Sequence, residues 1–106
     1  MKKFDNNLEP VPKKFLTLLA ELSKKYKIEK IIVFGSRARG DFRQTSDIDI
    51  AVTLVNNSDA NWSRLYDEIV NNDVTLLKVD LIRLDESLNQ EFRSRIKSEG
   101  LEILPT

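Results

Sequence analysis

Asp47 and Asp49 stand one residue apart at the head of an alternating apolar run, Ile48, Ile50 and Val52. Alternation of this kind is the signature of a half-buried strand. Residues i and i+2 of a strand point to one face. The two carboxylates therefore share a face while the three apolar side chains turn to the core. Two such charges repel by about 4 kcal/mol at an effective dielectric near 20. A proton, water or a cation must relieve them. A divalent ion with oxygen ligands does so most productively, and Mg²⁺ is the usual occupant where substrate phosphates complete the shell.

A third acid, Asp80, lies inside the apolar run Val79-Asp80-Leu81-Ile82. An acid within a central strand is costly unless it is paired or binds metal. If its strand neighbours that of Asp47 and Asp49, three carboxylates can hold two metals about 3.5–4 Å apart, suited to in-line phosphoryl or nucleotidyl transfer. Gly35 and Ser36 supply the other half of a site. Glycine allows close backbone approach to a phosphate, a helix start offers free N–H groups to an anion, and the Ser36 hydroxyl adds a donor. Arg37 and Arg39 place cations nearby for phosphate oxygens. Two look-alikes fail: Gly35-x4-Gly40 is followed by Asp41-Phe42 where a P-loop needs Lys-Ser/Thr, and Ala51-Val52 breaks an EF-hand loop.

Composition narrows the chemistry. The 106 residues suit one domain, 1–106, with residues 1–9 as a loose polar arm. There is no cysteine and no histidine. Thiolate metal sites, Ser-His triads and imidazole bases are excluded, and the lack of disulfides fits the cytoplasm. Seventeen basic residues balance seventeen acidic ones, so no net positive charge favours direct DNA binding. No apolar run approaches the ~18 residues of a membrane span.

The remaining patterns define the elements that position the acids. Phe15, Leu18, Leu19, Leu22 and Tyr26 predict a helix over 12–26. Lys30 to Phe34, continuously apolar after Lys30, predict a buried strand ended by Gly35, followed by a short helix from Ser36 to about Asp41. A second strand runs from Ile48 to Val55. Ser58 or Asp59 caps a helix over 60–71 carrying Trp62, Leu65, Tyr66, Ile69 and Val70. A third strand covers 76–84. Ser87-x-x-Gln90 forms a capping-box pattern for a helix with Leu88, Phe92 and Ile96, which Gly100 stops. Leu101–Leu104 adds a final edge strand. The expected fold is α/β, a small mixed sheet flanked by helices in the order α-β-α-β-α-β-α-β.

Gly-Ser, ten residues, then Asp-x-Asp, with a later lone Asp on a strand, resembles the nucleotidyltransferase superfamily that includes DNA polymerase β. The phrases Phe34-Gly35-Ser36-Arg37, Ser46-Asp47-Ile48-Asp49 and Val79-Asp80-Leu81 resemble its minimal nucleotidyltransferase branch. The resemblance implies that Gly35 and Ser36 bind the triphosphate of ATP. It implies that Asp47 and Asp49 hold two Mg²⁺ ions and that Asp80 completes the catalytic triad. It further implies a small all-helical HEPN partner, a ribonuclease toxin, which the nucleotidyltransferase silences as antitoxin by moving AMP onto a tyrosine. Two other readings stand beside it. The acceptor could be a small molecule or an RNA end, or the chain could mask its partner without catalysis.

Overall fold

The computed structural model describes residues 10–103 and the backbone of Lys2 and Lys3. Helix α1 spans Lys13–Lys25, with Pro12 at its N-cap. It buries Phe15, Leu19 and Leu22 at i, i+4 and i+7, the spacing of one helical face. Strand β2, Ile28–Phe34, begins two residues before the expected Lys30. It leads into α2, a single turn at Ser36–Arg39. Strand β3 covers Ile48–Leu54. Helix α3 covers Asp59–Val70, where the Ser58 hydroxyl accepts a hydrogen bond from the Asn61 N–H at 3.2 Å.

Strand β4 is only Val79–Arg83, shorter than the expected 76–84. The Asn72 side chain accepts from the N–H groups of Val74 and Thr75. The Thr75 hydroxyl in turn accepts from the Leu77 N–H at 3.2 Å, which withdraws that donor from strand pairing. Helix α4 spans Gln90–Glu99. Its N-cap is Asn89, which accepts from the Phe92 N–H at 3.0 Å, and not the expected Ser87. Ser87 is instead engaged by Asp85 through both its N–H and its hydroxyl. Gly100 stops α4 as expected, and β5 follows at Leu101–Glu102.

The five-stranded sheet has the order β1-β5-β2-β3-β4, where β1 is Lys2–Lys3. Strand β5 thus lies inside the sheet and not at its edge. Lys2 and Lys3 pair with it in parallel, so this part of the expected loose arm is strand. The remainder of the arm, and Leu104 of the expected last strand, lie outside the described residues. Strands β2 and β3 are antiparallel, whereas β3 and β4 are parallel.

Alternation divides the sheet between two layers. Ile31 and Val33, Ile48, Ile50 and Val52, and Val79 and Leu81 join α1 and α3 in the larger core. Ile32, Ala51, Leu84 and Ile96 form a smaller core under α4. Burial of these side chains, each contributing about 1.5–3 kcal/mol, holds the strand register. A one-residue slip would send every buried Ile to the wrong face. The apolar residues thereby set where the intervening acids point. Among the described residues, no helix is long and apolar enough to cross a membrane.

Candidate active site

Strand register places the acids. Asp49 is the cross-strand partner of Phe34 on β2 and of Asp80 on β4. All three alternate with residues of the larger core, so they lie on the face beneath α4. Asp49 and Asp80 are half-buried, while Asp47, just before β3, is exposed. The expected adjacency of the two acid-bearing strands is therefore met.

Gly35 ends β2 with φ +72° and ψ −151°, a region that essentially only glycine occupies. The bend brings the backbone against Asp49. A Cβ at position 35 would lie 2.3 Å from Asp49 Oδ2. Ser36 follows, half-buried, at the start of α2. The Gly-Ser bend and the Asp49 carboxylate are thus in direct contact.

The electrostatics record this crowding. The Asp49 carboxyl is raised from its ordinary 3.8 to about 6. Burial is the main cause, followed by hydrogen bonding and charge from Asp80 and then the charge of Asp47. Arg39 opposes the rise. Lys78 approaches the far side of Asp80, with Nζ 3.6 Å from Oδ1 on an exposed surface.

This donor set consists of hard oxygens under mutual repulsion, which fits a hard divalent cation. Among the described residues, no three acidic side chains stand close enough to hold a metal ion by themselves. The expected convergence of three acids on one spot thus holds for Asp49 and Asp80, with Asp47 at the margin. Such an open face suits Mg²⁺ that arrives with phosphate oxygens, since that ion keeps few protein ligands.

Arg37 departs from the expected phosphate contact. It is only 4% exposed. Its guanidinium donates to the carbonyl oxygens of Pro10, Arg43, Gln44, Ser46 and Asp47 and stacks on Phe42 at 4.8 Å. Burial lowers its pKa, against the nearby charges of Asp47 and Asp49. With its donors directed to main-chain oxygens, Arg37 is a positioning residue. It ties the loop before β3 to α2 and so sets where Asp47 begins. The sequence signal for this role is weak, because a fork of donors suits phosphates and clustered carbonyls alike. Arg39 does face open space, paired with Asp41 at 3.4 Å on the surface.

Phe34 and Phe92 meet edge to face, with ring centroids 5.8 Å apart and planes at 82°. Two cavities flank the pair. One, of about 310 Å³, runs along β4 past Asp49, Asp80, Ile82 and Tyr66. The other, of about 170 Å³, lies between Gly35, Arg39 and the Arg95, Ile96 and Glu99 side of α4. The first is acidic, and the second carries two guanidinium groups. Neither Phe92 nor Arg95 is suggested as a site residue by the sequence pattern, where Phe92 reads as core.

Comparison with known proteins agrees with this arrangement. The family described as "Polymerase beta, Nucleotidyltransferase" matches residues 17–106. "Putative protein adenylyltransferase MJ1215" of Methanocaldococcus jannaschii is 43% identical over 63 residues, 58% of this chain and 71% of that protein. "Putative protein adenylyltransferase MJ1379" of the same organism is 37% identical over 79 residues, 74% and 79% of the two chains. Among solved structures, a toxin–antitoxin crystal structure with AMP-PNP aligns at TM-score 0.66 and 22% identity, covering 90% of this chain and 75% of that one. A structure described as a putative minimal nucleotidyltransferase aligns at TM-score 0.62 and 23% identity, covering 88% and 89%. The structural likenesses speak for the fold, and the family match with the sequence relatives speaks for the chemistry. With its Gly-Ser bend set against paired aspartates on parallel strands, the chain belongs to the polymerase β nucleotidyltransferase family and is an enzyme of that class.

Proposed function

We propose that the protein transfers AMP from ATP to a tyrosine hydroxyl of a HEPN ribonuclease partner in the cytoplasm, and so acts as its antitoxin. The observation that carries the reading is the side-by-side placement of Asp49 and Asp80 against the Gly35 bend. The relatives named as protein adenylyltransferases support a protein acceptor. The toxin–antitoxin neighbour with AMP-PNP supports an adenine nucleotide and a paired partner.

In this reading Gly35 and Ser36 receive the triphosphate. Asp47, Asp49 and Asp80 would hold two Mg²⁺ ions, which neutralise phosphate charge and favour ionisation of the acceptor hydroxyl. The acceptor oxygen bonds to the α-phosphorus, and the bridging P–O bond to the β-phosphate breaks. Pyrophosphate departs with that electron pair, and the hydroxyl proton passes to the Asp80 carboxylate. The acidic cavity along β4 gives the acceptor its approach, since Asp80 faces it.

Incubation with α-labelled ATP, Mg²⁺ and a candidate HEPN partner tests the proposal. Label should enter the partner on tyrosine, and Asp49→Asn or Asp80→Asn should abolish transfer while the protein stays folded. Full transfer by either variant would overturn the assignment. Neutralisation of the partner by Asp49→Asn without label would replace catalysis by masking.

A further inference from the structure

Phe92, Arg95, Ile96 and Glu99 of α4 stand at i, i+3, i+4 and i+7, which puts them on one helical face. Ile96 is buried in the smaller core and Phe92 packs on Phe34, so the helix is anchored on both sides of Arg95. Arg95 and Arg39 line the 170 Å³ cavity with Gly35 at its wall. Among the described residues, the Arg95 guanidinium makes no ion pair or hydrogen bond. Arg95 is exposed, whereas the buried and half-buried arginines are all engaged: Arg37 with carbonyl oxygens, Arg83 with Asn57, Asp59 and Asp85, and Arg93 with the Asp85 carbonyl. An unengaged cation held over a cavity beside a phosphate-binding bend is positioned for an anion.

We propose that Arg95 and Arg39 clamp the β- and γ-phosphates of the nucleotide, the portion that leaves as pyrophosphate. The inference rests on the nucleotidyltransferase reading above and adds α4 to the site. The cavity volume agrees, because it falls below the roughly 300 Å³ at which ordinary ligand pockets begin. It accommodates a phosphate tail and leaves the nucleoside outside. Glu99 supplies one opposing charge at the same wall and Asp41 pairs with Arg39 at the surface, which leaves Arg95 as the cation with no ion pair among the described residues. The Phe34–Phe92 pair then separates the cationic cavity from the acidic one, with the α-phosphate between them and the acceptor approaching from β4.

Calorimetric titration of the purified chain with ATP, AMP and inorganic pyrophosphate, each with Mg²⁺, tests the clamp. Arg95→Gln should weaken ATP and pyrophosphate about tenfold or more, as loss of a charge-assisted contact does, and leave AMP unchanged. Arg95→Lys should restore part of the loss, and Glu99→Gln should tighten both anions. A melting curve equal to the parent's establishes that the exposed Arg95 was removed without unfolding. Equal ATP affinity in parent and Arg95→Gln would overturn the clamp and leave the nucleotidyltransferase reading standing. Equal weakening of ATP and AMP would also overturn it, by assigning the cavity to the nucleoside. A parent that binds no ATP at all would overturn both.

Discussion

Asp49 Oδ2 occupies the space that a side chain on Gly35 would need, 2.3 Å from the position of its Cβ. The Gly-Ser bend and the carboxylate are therefore packed against each other, with no room for a side chain between them. Gly35→Ala should fail twice over. The φ of +72° opposes any L side chain, and the methyl group collides with Asp49. A stability loss of about 1–3 kcal/mol follows from the backbone alone. Transfer should fall about a hundredfold through displacement of the carboxylate. Urea denaturation and initial-rate assays read the two effects separately.

Asp49 also makes the ligand-free protein pH-sensitive. Its carboxyl is raised from 3.8 to about 6 by burial, by Asp80 and by Asp47. The folded state retains a proton that the unfolded chain has already released. Stability therefore declines as pH rises through this interval, and the loss persists above it. Asp49→Asn should be more stable than the parent at pH 7, with the difference vanishing near pH 3.8. Denaturation midpoints at pH 4, 5 and 7 without divalent ions provide the check. Adding Mg²⁺ and ATP should stabilise the parent at pH 7 and not the variant.

Arg37→Lys changes the loop and spares the charge. Lysine cannot replicate the fork that reaches the Arg43, Gln44, Ser46 and Asp47 carbonyls. The variant should lose about 2 kcal/mol, the scale of hydrogen bonds to a charged group. Amide exchange should accelerate across residues 43–47. If Arg37 instead touched phosphate, ATP affinity would drop while exchange in this loop stayed slow.

Gly100 has ordinary φ, so its role is packing. An added Cβ would meet Ile32 Cγ2 at 2.2 Å, the Ile96 carbonyl at 2.5 Å and the Val33 carbonyl at 3.0 Å. Gly100→Ala should destabilise by about 1–3 kcal/mol, the usual range for overpacking. The collision with the end of α4 should also shift Arg95 and weaken ATP binding. Thermal melts and the same calorimetric titration measure both.

Much of the site was legible because its pattern is local. The alternation around Asp49 and Asp80 obliges each acid to oppose its apolar neighbours, whatever the rest of the chain does. Gly35 before Ser36 marks a bend by backbone chemistry alone. Helices α1 and α3 likewise follow from apolar spacing within their own segments. The misplaced details share another cause, which is competition between near neighbours. Ser87 has the residue type for a cap, but Asp85 captures it and Asn89 takes the role. Residues 76–78 look like strand, but the Thr75 hydroxyl captures the Leu77 N–H, and pairing with β3 begins only at the Lys78 carbonyl.

The amino-acid sequence by itself determined which side chains are acids, which alternate, and where glycine permits the bend. Only the tertiary structure decided that β3 and β4 run in parallel with Asp49 level with Asp80, that β5 lies inside the sheet, and that Arg37 turns inward while Arg95, among the described residues, makes no ion pair or hydrogen bond. Strand order and side-chain engagement depend on which distant surfaces meet as the two cores close. A guanidinium offers the same donors to a carbonyl or a phosphate, and only its surroundings select between them.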